Sequence, residues 1–361
     1  MAESLILVTD AGLYCPIGDF YIDPWFPVPR AVVTHAHADH LRWGCGSYLI
    51  SADGLHVTRA RLSDDAAIQT AAYGEAVLLN GVRVSLHPAG HILGSAQVRV
   101  EYGGQVWVIT GDYKTEIDAT CAPFELVRCH TFVTESTFGL PIYRWQPQRT
   151  IFDDIDSWWR ANRDAGRASV IYGYALGKAQ RIIAGVDPTI GGIYTHGAVE
   201  RINRAYRESG VQLPATTYAA AAGKRDWGGS LIVAPPSANG TPWLRRFGNL
   251  STAFASGWMS IRGARRRRSV DRGFALSDHL DWDNLMRVID GTGAESVWVT
   301  HGYTAVVTRW LTERGIDARI VTTRYEGEAI EAAESVESDE LTDPVIAPPA
   351  SDGIAGIAGD L

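Results

Sequence analysis

Three histidines and an aspartate fall within six positions, His35-Ala36-His37-Ala38-Asp39-His40, directly after the apolar run 31–34. A turn leaving a strand can splay His35 and His37 toward one ion and Asp39 and His40 toward a second. Imidazole and carboxylate donors suit zinc, manganese or iron. Two ions need more ligands, and the chain offers them after further strand-like runs. His91 stands in Gly90-His91-Ile92-Leu93-Gly94-Ser95, Asp112 in Thr110-Gly111-Asp112, and His301 in Thr300-His301-Gly302. A carboxylate such as Asp112, just past the apolar run 106–109, can bridge two ions. Singly, each of these is more often a hydrogen-bonded structural residue. With the His-rich turn they form a set, and the chemistry of such a set is hydrolysis by metal-activated water.

The segments that must position these residues change style along the chain. Runs 31–34, 82–86, 97–101, 106–109 and 132–134 read as short strands, and Gly103-Gly104 reads as a hairpin turn. From about 146 to 270 strands and helices alternate. Segment 151–163 is helix-like, with Ile155, Trp158 and Trp159 on one face, and 176–184 is helix-like again. Runs 169–172, 193–194 and 231–233 read as parallel-sheet strands. After about 270 the earlier style returns, with strand 296–300 ending at His301. The pattern is that of an α/β domain interrupted by an α/β insertion.

In this order the motifs resemble the metallo-β-lactamase superfamily. Thr134-Glu135-Ser136-Thr137-Phe138-Gly139 resembles the acidic motif that opens the β-CASP insertion of nucleic-acid nucleases. Tyr174-Ala175-Leu176-Gly177-Lys178-Ala179-Gln180 resembles a helix start inside that insertion. Ala255-Ser256-Gly257-Trp258-Met259, Leu276-Ser277-Asp278-His279 and Thr300-His301-Gly302 resemble its closing motifs. The likeness covers most of 15–305. Asp23-Pro24-Trp25 and the residues around Trp258 are similar to the bacterial DNA-ligase-associated exonucleases. Unlike the crosslink-repair relatives, this chain keeps a histidine at His301.

The resemblance implies an αββα sandwich with an inserted α/β β-CASP domain. Its divisions are 1–145 for the first part of the metallo-β-lactamase domain, 146–270 for the insertion and 271–325 for the return segment. It implies two divalent ions, zinc or manganese. His35, His37 and His91 would hold one, Asp39, His40 and His301 the other, and Asp112 both. Asp39 is counted with the catalytic residues. His279, oriented by Glu135, would protonate the leaving alkoxide, since a carboxylate fixes a histidine tautomer and raises its pKa. Asp23 would hydrogen-bond a ligand histidine, with Asp19 as competitor. Ser277, Lys178, Arg181, Trp258 and Arg265 are candidate substrate contacts. His56, His87, His130 and His196 lack motif context and read as ordinary.

The net charge of −8 looks wrong for a nucleic-acid binder, but ten acids and no Lys or Arg lie in 326–361. That tail reads as disordered. Without it, 33 basic residues meet 31 acidic ones, a balance of +2. Arg262 and Arg265 to Arg268 form one basic run, either a solvated loop or a phosphate contact. No apolar run approaches the ~20 residues of a membrane span, and no signal peptide is evident. The four cysteines form no Cys-x-x-Cys pair, which fits a reducing cytoplasm. The expected activity is hydrolysis of DNA by a single-strand exonuclease in repair, with a DNA ligase and a helicase as partners implied by the resemblance. The competing readings are an RNA nuclease of the same fold, a small-molecule metallo-hydrolase and a dead nucleic-acid-binding scaffold.

Overall fold

A computed structural model describes residues 4–261 and 269–324. Arg262, Arg265 to Arg268 and the acidic tail 326–361 lie outside the described residues. The first sheet has six strands in sequence order: β1 (Leu7–Thr9), β2 (Gly12–Cys15), β3 (Phe20–Ile22), β4 (Ala31–Val32), β5 (Tyr48–Ser51) and β6 (Ile68–Ala71). Strands β3 to β6 are parallel, and α1 (Leu55–Arg59) follows β5. The second sheet starts with the antiparallel strands β7 (Ala76–Leu79), β8 (Val82–Pro88), β9 (Ala96–Tyr102) and β10 (Gln105–Ile109). It continues with β11 (Thr131–Ser136), parallel to β10. Gly103 and Gly104 both have positive φ, as expected of the β9–β10 turn.

The chain then builds a third, wholly parallel sheet. Its elements are α2 (Gln148–Asp164), β12 (Ala168–Tyr172), α3 (Lys178–Gly185), β13 (Ile193–Thr195), α4 (Gly197–Glu208), β14 (Thr217–Tyr218), β15 (Leu231–Ala234), β16 (Leu250–Ala255) and β17 (Arg272–Phe274). Their spatial order is β14-β13-β15-β12-β16-β17. The sheet therefore reaches Phe274, past the boundary expected at 270. Helix α5 (Trp282–Thr292) leads back to β18 (Ser296–Gly302), which pairs with β11 in parallel. Helix α6 (Thr304–Thr312) and edge strand β19 (Asp317–Ile320) complete the second sheet. Among the described residues no helix is long and apolar enough to cross a membrane.

Alternation decides the packing. Leu13, Phe20, Ile22 and Val32 of the first sheet share one core with Val84, Leu86, Val98 and Trp107 of the second. The far face of the second sheet buries Phe132, Val297 and Val299 against Leu285, Val288 and Ile289 of α5 and Val307 and Leu311 of α6. Helix α2 turns Ile151, Phe152, Ile155 and Trp159 toward the third sheet, at the spacing of a helical stripe. Each such side chain contributes about 1.5–3 kcal/mol on burial. Helix α5 is bounded by its sequence: Asp281 accepts from the Asn284 amide at 3.0 Å, and Gly293 closes the C-terminus in the left-handed region.

Candidate metal centre

The proposed ligands leave strand ends at one edge of the first two sheets. The expected strand 31–34 stops at Val32, because Asp23 captures the next residue but one. The Thr34 amide donates to Asp23 Oδ1 at 2.8 Å, and Thr34 Oγ1 donates to Asp23 Oδ2 at 2.6 Å. The chain turns there and presents His35, His37, Asp39 and His40, all buried. Asp112 follows β10 through Gly111, whose φ is +56° and on which a side chain would strike Thr34. Only glycine lets these two turns approach.

Four donor atoms converge. His37 Nδ1 lies 3.1 Å from both His35 Nε2 and His91 Nε2. Asp112 Oδ2 lies 3.6 Å from His35 Nε2 and 3.8 Å from His91 Nε2. The other nitrogens of these rings are committed. His91 Nδ1 donates to the Asp278 carbonyl at 2.9 Å, and His37 Nε2 to the Leu176 carbonyl at 3.2 Å. His35 Nδ1 meets Thr34 Oγ1 at 3.1 Å, and that hydroxyl has spent its proton on Asp23. The inward nitrogens are therefore lone pairs facing one another, an arrangement that a shared cation relieves. Three imidazoles, each oriented by an outer oxygen, and the Asp112 carboxylate fit a divalent ion such as zinc.

Asp39, His40 and His301 gather beside this group less tightly. His40 Nε2 stands 3.5 Å from Asp112 Oδ2 and 3.6 Å from Asp39 Oδ2. The His301 ring centroid is 5.6 Å from that of His40, and both line a cavity with Asp23 and Asp39. His40 Nε2 and Asp39 Oδ1 are buried with no hydrogen-bond partner in the protein. Orphaned buried donor atoms of this kind fit a second ion. His301 and Asp23 both hold left-handed backbones, φ +47° and +45°.

The electrostatics follow. Burial opposes a charge on His40, but Asp39, Asp112 and Asp23 outweigh it and hold the imidazole well above its ordinary pKa. Burial pushes His35 and His91 well down, and neighbouring histidines push them further. Burial also lowers His301. For Asp112, burial acts upward, yet His40 and His279 leave it well below the carboxylate range.

A second buried group joins the first at Asp112. Its ligand-type atoms lie within 4.8 Å of those of Glu135 and His279. His279 Nδ1 donates to Glu135, at 2.8 Å from Oε1 and 2.9 Å from Oε2. The same carboxylate accepts the Tyr113 amide at 3.1 Å and the Thr137 amide at 3.3 Å.

Several expected substrate contacts are buried in the structure. Lys178 and Arg181 are 0% and 2% exposed. Lys178 Nζ pairs with Asp278 Oδ2 at 2.7 Å, and Arg181 pairs with Asp118 and Asp278. Alone, each cation would be too costly to bury; the carboxylates draw both inward. Neither is free to meet a phosphate. Ser277 is buried too, its hydroxyl exchanging hydrogen bonds with the backbone of His279. Trp258 is half-buried against Phe138 and Tyr143. Arg265 lies outside the described residues.

Asp23, not Asp19, meets the histidine cluster: Asp19 accepts from the Tyr14 hydroxyl instead. His87 and His56 pair with Glu125 and Glu208, His130 accepts the Val106 amide, and His196 caps α4. Thr34 and Asp278 contact the proposed ligands, Asp118 holds Arg181 behind them, and none of the three was given a role from sequence. Asp278 had a signal, an acid between two motif residues, Ser277 and His279.

No family model matches the chain. It is 30% identical over 309 residues to a probable DNA ligase of Opitutus terrae, covering 85% of this chain and 30% of that protein. It is 28% identical to cleavage and polyadenylation specificity factor 73 of Drosophila melanogaster, over 47% of this chain and 27% of that one. An RNase J-like protein of Methanocaldococcus jannaschii is 25% identical over half of each chain. The chain thus spans between about a quarter and a half of the length of these relatives. A protein of unknown function from Enterococcus faecalis V583 has a similar fold, with TM-score 0.55 and 12% identity over 82% of this chain and 80% of that one. With its motifs in this order, the chain is similar to these relatives in a way consistent with the β-CASP nucleases of the metallo-β-lactamase superfamily.

Proposed function

We propose that the protein is a two-metal phosphodiesterase that hydrolyses DNA, acting as an exonuclease on single strands or frayed ends in repair. The observation that carries it is the continuous buried chain of donors His35, His37, His91, Asp112, His40 and Asp39, with the Glu135–His279 pair at its edge. Two sheets sharing one core with helices outside support the αββα reading. The insertion reading, 146–270 extended to Phe274, is supported by β11 and β18. They are paired neighbours in one sheet although the whole third sheet lies between them in sequence.

His35, His37, His91 and Asp112 would hold one ion, and Asp39, His40, His301 and Asp112 the other. Divalent ions held there would supply two things: a lowered water pKa, so that hydroxide is available near neutral pH, and positive charge to offset the negative charge on the phosphoryl oxygens. Asp23 keeps the Nδ1 proton of His40 outward, so that Nε2 faces the centre. Glu135 fixes the Nδ1 tautomer of His279 in the same way. The remaining ring nitrogen of His279 then delivers a proton to the departing alkoxide and receives one back from solvent.

DNA is favoured because the relative alike over 85% of this chain is named a probable DNA ligase; a ligase and a helicase are the partners this reading suggests. A second reading, RNA processing, is favoured by the relative named RNase J-like protein. End-labelled single-stranded DNA and RNA of one sequence, with zinc, manganese or magnesium and His40→Ala as control, separate the two. Cleavage of DNA that vanishes in the variant is expected. RNA-only cleavage moves the function to RNA processing, and cleavage of neither overturns the nuclease reading.

A further inference from the structure

Arg181 has one guanidinium and four partners on three separate segments. Nη2 donates to the His91 carbonyl at 3.1 Å, and Nη1 to the Ser277 carbonyl at 2.8 Å. Nε bonds Asp118. Nη1 also lies 2.9 Å from Asp278 Oδ1, an ion pair whose angle does not make a hydrogen bond. The ring closes through the metal site: His91 Nδ1 donates to the carbonyl of the same Asp278. Lys178, one turn earlier on α3, holds the Leu276 carbonyl and Asp278 Oδ2, at 2.8 and 2.7 Å. Lys114 donates to the Ser277 carbonyl at 2.8 Å.

We propose that Arg181 is a positioning residue that holds the His91 loop and the Ser277-Asp278-His279 turn in register. A metal-ligand histidine and a proton-donating histidine thereby keep a fixed separation, and α3 of the third sheet sets it. The inference rests on the metal-nuclease reading and deepens it. Buried charge is a poor source of stability, and its best-attested use is to specify one arrangement. A planar fork reaches two carbonyls on different segments at once, which an ammonium on the same stem does not. The His91 and His279 rings, 4.9 Å apart, are the two groups that the fork keeps together.

The test compares Arg181→Lys with Arg207→Met, a partly buried arginine that ties α4 to the Pro214 carbonyl and Thr216, away from the site. Zinc affinity of the full-length protein is measured by chelator competition, alongside thermal unfolding and the kcat and KM for labelled single-stranded DNA. Arg181→Lys is expected to weaken zinc binding about 10-fold, the lower end of effects seen when support behind a ligand is lost, and to lower kcat at unchanged KM. Arg207→Met is expected to lower the unfolding temperature and leave zinc affinity and kcat unaltered. Equal zinc affinity and kcat in Arg181→Lys and wild type overturn the inference while leaving the nuclease reading intact. So does a loss in Arg181→Lys that Arg207→Met reproduces. A wild type that binds neither zinc nor manganese overturns both readings together.

Discussion

His40 Nδ1 lies 2.6 Å from Asp23 Oδ2, the oxygen to which Thr34 Oγ1 also donates at 2.6 Å. One carboxylate thus sets both the turn that delivers the histidines and the tautomer of one of them. Asp23 does so from a left-handed backbone, which asparagine tolerates and most residues do not. Asp23→Asn is therefore expected to keep the fold and weaken metal binding about 10–100-fold. Asp23→Ala should in addition lower thermal stability, because the Thr34 amide loses its acceptor. Metal titration with calorimetric unfolding checks both; an Asn variant with wild-type affinity sinks the idea.

Stability should fall in acid for an identifiable reason. Burial alone would raise Asp118, but Arg181 and the Thr120 hydroxyl and amide leave it low; Lys178 and Arg181 do the same for Asp278 against burial. A carboxylate with a depressed folded pKa contributes stability that is fully present above its unfolded value, about 3.9, and lost as pH falls through the folded value. The unfolding temperature is expected to be flat in this respect above about pH 4 and to drop below it. Asp118→Asn should lose stability at pH 7 and show a shallower acid limb. An unchanged acid limb would remove Asp118 from the account.

The contrast between His37 and Arg181 explains what was legible in the sequence. His35, His37, His40, His91 and Asp112 announce themselves because their types and their places after apolar runs have few other uses. Strands 106–109 and 169–172 were legible for the same reason, being short apolar runs bounded by turn residues. Lys178 and Arg181 read as surface cations, since nothing local says that Asp118 and Asp278 will meet them inside. The strand β17, just past the expected boundary at 270, is three residues of ordinary composition that pair only in space. The helix expected from 176 begins at Lys178 instead. Gly177 holds φ +87°, and a side chain on it would strike Ile92, a contact no sequence window contains.

Glu135 accepts from three nitrogens: His279 Nδ1 and the Tyr113 and Thr137 amides. A glutamine offers one oxygen where two are used, and its NH2 would face a donor. Glu135→Gln is expected to lose about 1–3 kcal/mol of stability. Through misorientation of His279 it should also lose about 100-fold or more in kcat. Zinc affinity should change little. Parallel kcat and chelator-competition measurements check this, and a variant that loses metal instead of turnover would make Glu135 a ligand rather than the partner of His279.

Burial of Lys178 makes a prediction about nucleic acid that its charge alone would not. An exposed lysine on a phosphate releases counterions, and its loss reduces the salt slope of single-strand binding by about 0.7. Lys178 is fully buried against Asp278 and the Leu276 carbonyl. Lys178→Met, in a His40→Ala background to prevent cleavage, should therefore bind single-stranded DNA with the same slope of log affinity against log salt as His40→Ala alone. Its unfolding temperature should drop, because Asp278 loses one of its two cations. Fluorescence anisotropy across a salt series gives the slope. A decrease near 0.7 would mean that Lys178 leaves its buried pair and reaches the phosphate backbone when the strand is bound.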